Sequence, residues 1–365
     1  MNRSLSLEKY ALKAIINIGS LKLCVYFQPN FIIDISYAKF IESIFNISNY
    51  LTPRLELNIY FRESNVNSII QSFDLAPINE LIPAEIQPIF DEMLLQKLDL
   101  KKDDFNWVKY YKKGEERFIY VTSMNIIYRF IPNEYNIFIY SDRFSWSIIL
   151  EIIQDLILTF LRGFLILHAS TISGNNSLMS FSGKSRSGKT SISLSYVGNN
   201  LHYIICDDIT ILDKHFKIIP YREDIKIPVS YIKKYPELLH LHKGPKYISG
   251  KNKYVMLLPK SYNQNKNEAV NRFFVLTQEK NTCEIVPLDT DKLQVLIRNK
   301  SLFPALFSQA FWCLPFLGNE SSYILKYIEE GLGLYEKFIS RKEIYLVRWD
   351  YSRIKDVKKY LMNLD

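Results

Sequence analysis

Residues 183–190 read GKSRSGKT, and this octet decides the fold class. It matches the eight-position pattern G-x-x-x-x-G-K-[ST], in which a glycine-rich turn wraps a phosphate group. Glycine is needed at Gly183 and Gly188 because the backbone must bend tightly and approach phosphate oxygens with no Cβ in the way. Backbone N–H groups of the loop and the start of the following helix then face the anion. Lys189 is placed to bridge the β- and γ-phosphates, and the Thr190 hydroxyl to ligate Mg²⁺. Ser185, Arg186, Ser187 and Ser191 complete the nucleotide-binding stretch. Only 12 of 365 residues are glycine, so two at this spacing carry information. The competing reading is a surface turn rich in Ser and Lys. The flanks oppose it, since the apolar run SLMSFSG (177–183) precedes the loop and a helical stretch, TSISLSYV (190–197), follows.

Upstream, FLILHASTIS (164–173), the turn Gly174-Asn175-Asn176 and SLMSFSG read as two strands joined tightly. His168 closes the run FLIL, 183 − 168 = 15 residues before the first loop glycine. A lone histidine after an apolar strand is usually a satisfied core or edge residue. Here the hairpin can return it to the phosphate region. Downstream, the strand HYIIC (202–206) ends in Asp207-Asp208, 207 − 189 = 18 residues after the loop lysine. Two acids at that point can divide two tasks: one holds a metal or its water, the other accepts a proton from an attacking hydroxyl. The bland alternative is an exposed Asp pair opening a turn.

Composition sets the frame around this motif. A chain of 365 residues exceeds the usual single-domain size, so two domains are expected. With 48% hydrophobic and 23% charged residues, disordered, collagen-like and mini-protein classes are excluded. The net charge of +8 suits acidic partners or phosphate groups without proving nucleic-acid binding. Cys24, Cys206, Cys283 and Cys313 are widely spaced, which suggests neither a zinc site nor a disulfide framework. The first 20 residues carry Glu8 and lack a clear apolar core with a small-residue cleavage site. A reducing cytoplasm is the expected location.

The apolar stretch 148–167 contains Glu151, Gln154, Asp155 and Arg162, each expensive in hydrocarbon. Its isoleucines and leucines recur at 3.6-residue spacing. A buried amphipathic helix is expected, with Ser145 or Ser147 as N-cap, Gly163 as stop and a short strand at 164–167. Before it, LKLCVYF (21–27), RLELNIYF (54–61), RFIYVTS (117–123) and YNIFIYS (135–141) read as strands, the last two forming a hairpin or meander. Residues 78–98 read as helical, broken by prolines. The division expected is 1–145 as an accessory α+β domain and 146–365 as the phosphate-binding domain.

The elements LHAS (167–170), GKSRSGKT (183–190) and CDD (206–208) together resemble the HPr kinase/phosphorylase C-terminal superfamily, a relative of phosphoenolpyruvate carboxykinase. The resemblance is closer to divergent, HPr-kinase-like members with an unrelated N-terminal region. Further likeness lies in IIPYREDIKIPVS (218–230), SGKNKYVMLLP (249–259), an LFPALFSQAFW helix (302–312) and EIYLVRWDYS (343–352) leading into a helix. The resemblance spans roughly residues 161–364. It implies an α/β phosphate-loop kinase with a mixed, bent sheet that uses Mg²⁺ and ATP. It implies Asp207 as the base for a substrate serine hydroxyl, Asp208 with Thr190 at the metal, Lys189 on the phosphates and His168 beside the transferring group. The family's metal-binding Glu follows the Asp pair; the corresponding stretch here is PYRED, where Glu223 or Asp224 would substitute. This departure argues against HPr itself as substrate, and more so against the reverse phosphorylase reaction.

Some members of that group are linked to phosphorylating a hydroxyl of ribosomally made, modified peptides. The resemblance therefore implies a peptide or protein partner with an acceptor serine, and a homo-oligomer; separately, an accessory domain of short strands could present a peptide edge by strand addition. A lysine-rich stretch at 233–266 reads either as a solvated loop or as a lid over phosphates carried by Lys251 and Lys253. No recognised RNA-binding module accompanies it, so no nucleic-acid partner is expected. No membrane span is expected either. The leading reading is an ATP-dependent kinase of a serine-type hydroxyl. The alternatives are a non-catalytic nucleotide-binding regulator and a kinase of a small hydroxylated metabolite. A motion-coupled ATPase is disfavoured because no LSGGQ signature follows the loop.

Overall fold

The computed structural model describes residues 12–18, 21–28, 55–77, 108–122, 124–173, 177–183, 187–195, 203–219, 224–228, 248–249, 253–257, 269–289, 330–331 and 333–364. The chain is mixed α/β, with most of its described elements strands in mixed sheets. It divides into two compact units, and among the described residues the break falls between Arg162 and Gly163. The boundary expected from the sequence, 145/146, stands before helix Trp146–Phe160, and this break stands after it.

The first unit is built on an eight-stranded sheet. Its strands are β1 (Leu12–Ile18), β2 (Leu21–Phe27), β3 (Leu55–Glu63), β4 (Ala76–Pro77), β5 (Val108–Lys113), β6 (Glu116–Val121), β7 (Ile126–Ile131) and β8 (Asn136–Ser141). They are ordered β1-β2-β3-β8-β7-β6-β5-β4. The expected meander is present, with β6, β7 and β8 joined antiparallel. Its turns place Asn125 and Tyr135 at positive φ, the latter just after a 3-10 turn at Pro132–Glu134. Helix α1 (Val66–Phe73) starts at Asn65, whose side chain accepts from the Ser68 N–H.

Helix α2 (Trp146–Phe160) takes Ser145 as its N-cap, resolving the two serines the sequence offered. Ile149, Ile152, Ile153, Leu156 and Ile157 are fully buried on its apolar face. Phe160 packs on Phe130 of β7, with ring centroids 5.9 Å apart, which ties the helix to the first unit. Gly163, at φ +73°, ends the segment. Among the described residues no helix is long and apolar enough to cross a membrane.

The second unit carries the phosphate-loop motif. Its main strands are β9 (Leu165–Leu167), β10 (Ala169–Ser173), β11 (Leu178–Gly183) and β12 (Tyr203–Cys206), with β13 (Thr210–Leu212), β14 (Ile218–Ile219) and β15 (Asp224–Pro228) following. Then come β16 (Ile248–Ser249), β17 (Lys253–Leu257), β18 (Val270–Gln278), β19 (Cys283–Pro287) and β20 (Glu343–Trp349). Helix α3 (Lys189–Ser195) follows β11, and α4 (Ile354–Leu364) follows β20.

A six-stranded sheet, ordered β12-β10-β11-β18-β20-β19, forms the frame, beside two three-stranded sheets. β11 runs parallel to β18 and antiparallel to β10. Strand β18 shows why the frame is closed on both sides. Phe273 and Val275 join one core cluster with Tyr335, Phe338 and Ile339, whereas Phe274 and Leu276 join another with Ile192 of α3 and Val357 and Leu361 of α4. Alternate residues therefore enter opposite cores, as a strand's two-residue period requires. The helical reading of 78–98, the LFPALFSQAFW helix, Glu223 and Lys251 lie outside the described residues, as does most of the lysine-rich stretch.

Candidate functional site

Sheet register brings the expected residues together. β10 begins at Ala169, directly after His168, and Ala169 stands opposite Ser182 on β11. β12 ends at Cys206, opposite Thr171 of β10. The antiparallel pairings therefore put His168, the glycine end of β11 and the Asp pair at one end of the same sheet. The Ser182 hydroxyl fixes that end further by donating to the His168 carbonyl at 3.0 Å.

The loop's two glycines occupy positions that other residues would strain. Gly183 lies at φ +151°, and a Cβ there would stand 2.6 Å from the Leu276 carbonyl oxygen and 2.7 Å from Ser187 Oγ. Gly188 lies at φ +94°, and a Cβ there would overlap the Trp349 ring. Lys189 is buried and donates from Nζ to the Gly183 carbonyl at 3.0 Å, so its ammonium crosses the mouth of the loop. Ser187 Oγ is buried with no hydrogen-bond partner among the described residues. A buried unpartnered hydroxyl costs about 1–3 kcal/mol, and an anion oxygen in the loop would relieve that cost. Ser185 and Arg186 lie outside the described residues. Ser191, on α3, is half-buried.

The Thr190 hydroxyl lies 3.0 and 3.1 Å from the two Asp207 oxygens and donates to that carboxylate. Asp207 is buried, and burial together with the neighbouring Asp208 charge pushes its pKa up to about 6. Hydrogen bonds from Thr190 and Ser170 and the Lys189 charge oppose the rise without cancelling it. Such a carboxylate is mostly ionised at neutral pH yet close enough to it to accept and release a proton. Asp208 points elsewhere: its Oδ1 is 3.0 Å from His168 Nε2. Asp208 sits at φ +68° in a three-residue turn closed by the Ile209 N–H on the Asp207 carbonyl at 2.8 Å. This turn splits two adjacent carboxylates into a buried one and a half-exposed one.

Two buried sets of hydroxyls, one through Ser170 and one through Thr171, lie on the strand beside the pair. Ser170 Oγ is 2.7 Å from Ser193 Oγ on α3 and donates to the Cys206 carbonyl at 3.3 Å. Thr171 Oγ1 is 2.6 Å from Ser180 Oγ and 2.8 Å from Thr210 Oγ1. Cys206 Sγ approaches Thr210 Oγ1 at 3.2 Å, and burial pushes its thiol pKa up to about 11. Ser170 belonged to the LHAS element, but the other hydroxyls of these two sets have no linear signal. Trp349 is likewise a contributor that sequence reasoning placed only in a closing strand.

Thr190, Asp207 and Asp208 present hard oxygen donors, which suit Mg²⁺ better than a soft metal. Among the described residues no group of three or more His, Cys, Asp or Glu side chains is placed to hold a metal. Two carboxylates and a hydroxyl fit an ion that completes its shell with phosphate oxygens and water. Such an ion would neutralise charge on phosphate oxygens. For Asp224, only its place at the start of β15 is described. Compared with known proteins, the chain matches no family model, and no curated protein matches its sequence.

Proposed function

We propose that the second unit is a Mg²⁺·ATP-dependent kinase of the HPr-kinase-like type, transferring phosphate to a serine-type hydroxyl of a peptide or protein. The observation that carries this reading is the convergence of a glycine-pinched loop, a buried lysine and a Thr190–Asp207 pair at one end of the sheet. Asp207 takes the proton of the acceptor hydroxyl as that oxygen bonds to the terminal phosphorus and ADP leaves. Lys189 and the loop would hold the phosphates, and Thr190 with Asp208 would hold the metal. His168 orients Asp208 beside them.

The test is incubation with labelled ATP and Mg²⁺, first with peptides encoded beside the gene and then with free hydroxy-amino acids. Mass spectrometry then locates the phosphate. Transfer to a peptide serine is expected, and Asp207→Asn should abolish it while nucleotide still binds. Tight nucleotide binding with no transfer to any acceptor would replace the kinase with a regulator. Transfer at the parental rate by Asp207→Asn would remove the base assignment.

A further inference from the structure

Trp349 closes β20 and is completely buried, and it meets the phosphate loop from 162 residues away in sequence. Its indole N–H donates to the Ser187 carbonyl at 3.1 Å. The same ring fills the space that a Cβ on Gly188 would take. Tyr351 packs edge-on against the indole, with centroids 5.0 Å apart, and so limits its movement. The segment also holds the far end of the following helix, where Lys358 of α4 donates to the Ser195 carbonyl.

The consequence follows from peptide planarity. The bond joining Ser187 to Gly188 is trans, so its C=O and N–H point in opposite directions. With the Ser187 carbonyl fixed on the indole N–H, the Gly188 N–H points away from that contact. Flipping that peptide would break the indole bond and withdraw the donor. Ser187 Oγ supplies an independent sign of a ligand there. It is buried, has no partner among the described residues, and lies across the loop toward Gly183.

We propose that Trp349 is a positioning residue that holds the Ser187–Gly188 peptide with its N–H presented to a phosphate oxygen. The proposal rests on reading residues 183–190 as a phosphate site. It assigns Trp349 no contact with the ligand. Its action runs through one carbonyl and the glycine beneath the ring.

Trp349→Phe keeps an aromatic ring and removes the donor. Titration calorimetry on the full chain, with MgATP and separately with pyrophosphate, should show affinity for both probes falling by about tenfold. Indole ¹⁵N spectra give a second readout, because the resonance missing in Trp349→Phe belongs to Trp349. It should shift on saturation with either probe in the wild type. Equal affinity of variant and wild type would overturn the proposal and leave the phosphate site standing. If the variant does not fold, Trp107→Phe, Trp146→Phe and Trp312→Phe assign the resonance by elimination, and an unmoved Trp349 signal overturns the proposal. A wild type that binds neither probe overturns the phosphate-site reading itself.

Discussion

The Thr190 hydroxyl bridges both carboxylate oxygens of Asp207, at 3.0 and 3.1 Å, from a position 17 residues earlier in the chain. This contact joins the start of α3 to the end of β12 inside a buried site. It stabilises the ionised form of Asp207, yet burial and the Asp208 charge outweigh it, and the pKa stands at about 6 against an ordinary 3.8. An acid whose folded pKa is raised stabilises the fold below its unfolded pKa and loses that contribution as pH rises through the folded value. Without Mg²⁺, urea denaturation from about pH 4 to about pH 7 should cost the wild type on the order of 2–3 kcal/mol relative to Asp207→Asn. Parallel pH profiles for the two proteins would show that Asp207 is not held in this state.

Asp208 contributes to that rise by charge alone. Asn tolerates left-handed backbone, so Asp208→Asn keeps the turn at φ +68° and removes the charge. The Asp207 pKa should then fall toward the ordinary carboxylate range, and the acidic limb of any rate profile should move to lower pH. A ¹³C titration of the Asp207 carboxylate reads this whether or not the variant is active. Asp208→Ala should lose in addition about 1 kcal/mol of stability from its backbone. An unmoved Asp207 titration in Asp208→Asn would mean the two carboxylates are not electrostatically coupled.

The glycines of the second unit separate two kinds of constraint. Gly163 has positive φ, but the methyl that alanine would add there meets no atom within 4 Å, so Gly163→Ala should cost only about 1–2 kcal/mol. Gly188→Ala must also displace the Trp349 ring, and Gly183→Ala must displace the backbone carbonyl of Leu276. Both should cost more than about 3 kcal/mol, because overpacking adds to the backbone term. Denaturant midpoints for the three variants measure the difference. Equal costs at Gly163 and Gly188 would show that the indole yields freely.

Much of this site was legible because its parts are local. The spacing of Gly183, Gly188, Lys189 and Thr190 encodes a loop, and the run HYIIC marks a strand that must deliver Asp207 somewhere. The hairpin through Gly174-Asn175-Asn176 made the return of His168 readable as well. What stayed hidden depends on contacts between distant elements. Nothing near Trp349 in sequence refers to Ser187, and nothing in LHAS or SLMSFSG pairs Thr171 with Ser180 and Thr210. The division of tasks between the two aspartates was readable, but their separate hydrogen-bond partners were not. Those depend on a turn at Asp208 that sends one side chain to Thr190 and the other to His168.

The buried hydroxyls around Thr171 yield the last prediction. Thr171 on β10 joins Ser180 on β11 to Thr210 on β13, and Thr210 also donates to the Ala169 carbonyl at 3.1 Å. These groups have no water to fall back on, so removing one partner strands the others. Thr171→Val conserves shape and should cost about 1–3 kcal/mol, because it leaves Ser180 and Thr210 short of a partner. Thr171→Val combined with Ser180→Ala removes both ends of one bond, and the pair should cost less than the sum of the single changes. Since β10 leads from His168 and β12 leads to Asp207, amide exchange at Cys206 and Asp207 should quicken in Thr171→Val. Strict additivity in the cycle, with unchanged exchange at those amides, would reduce these groups to independent hydroxyls with no part in holding the end of the sheet that carries His168 and Asp207.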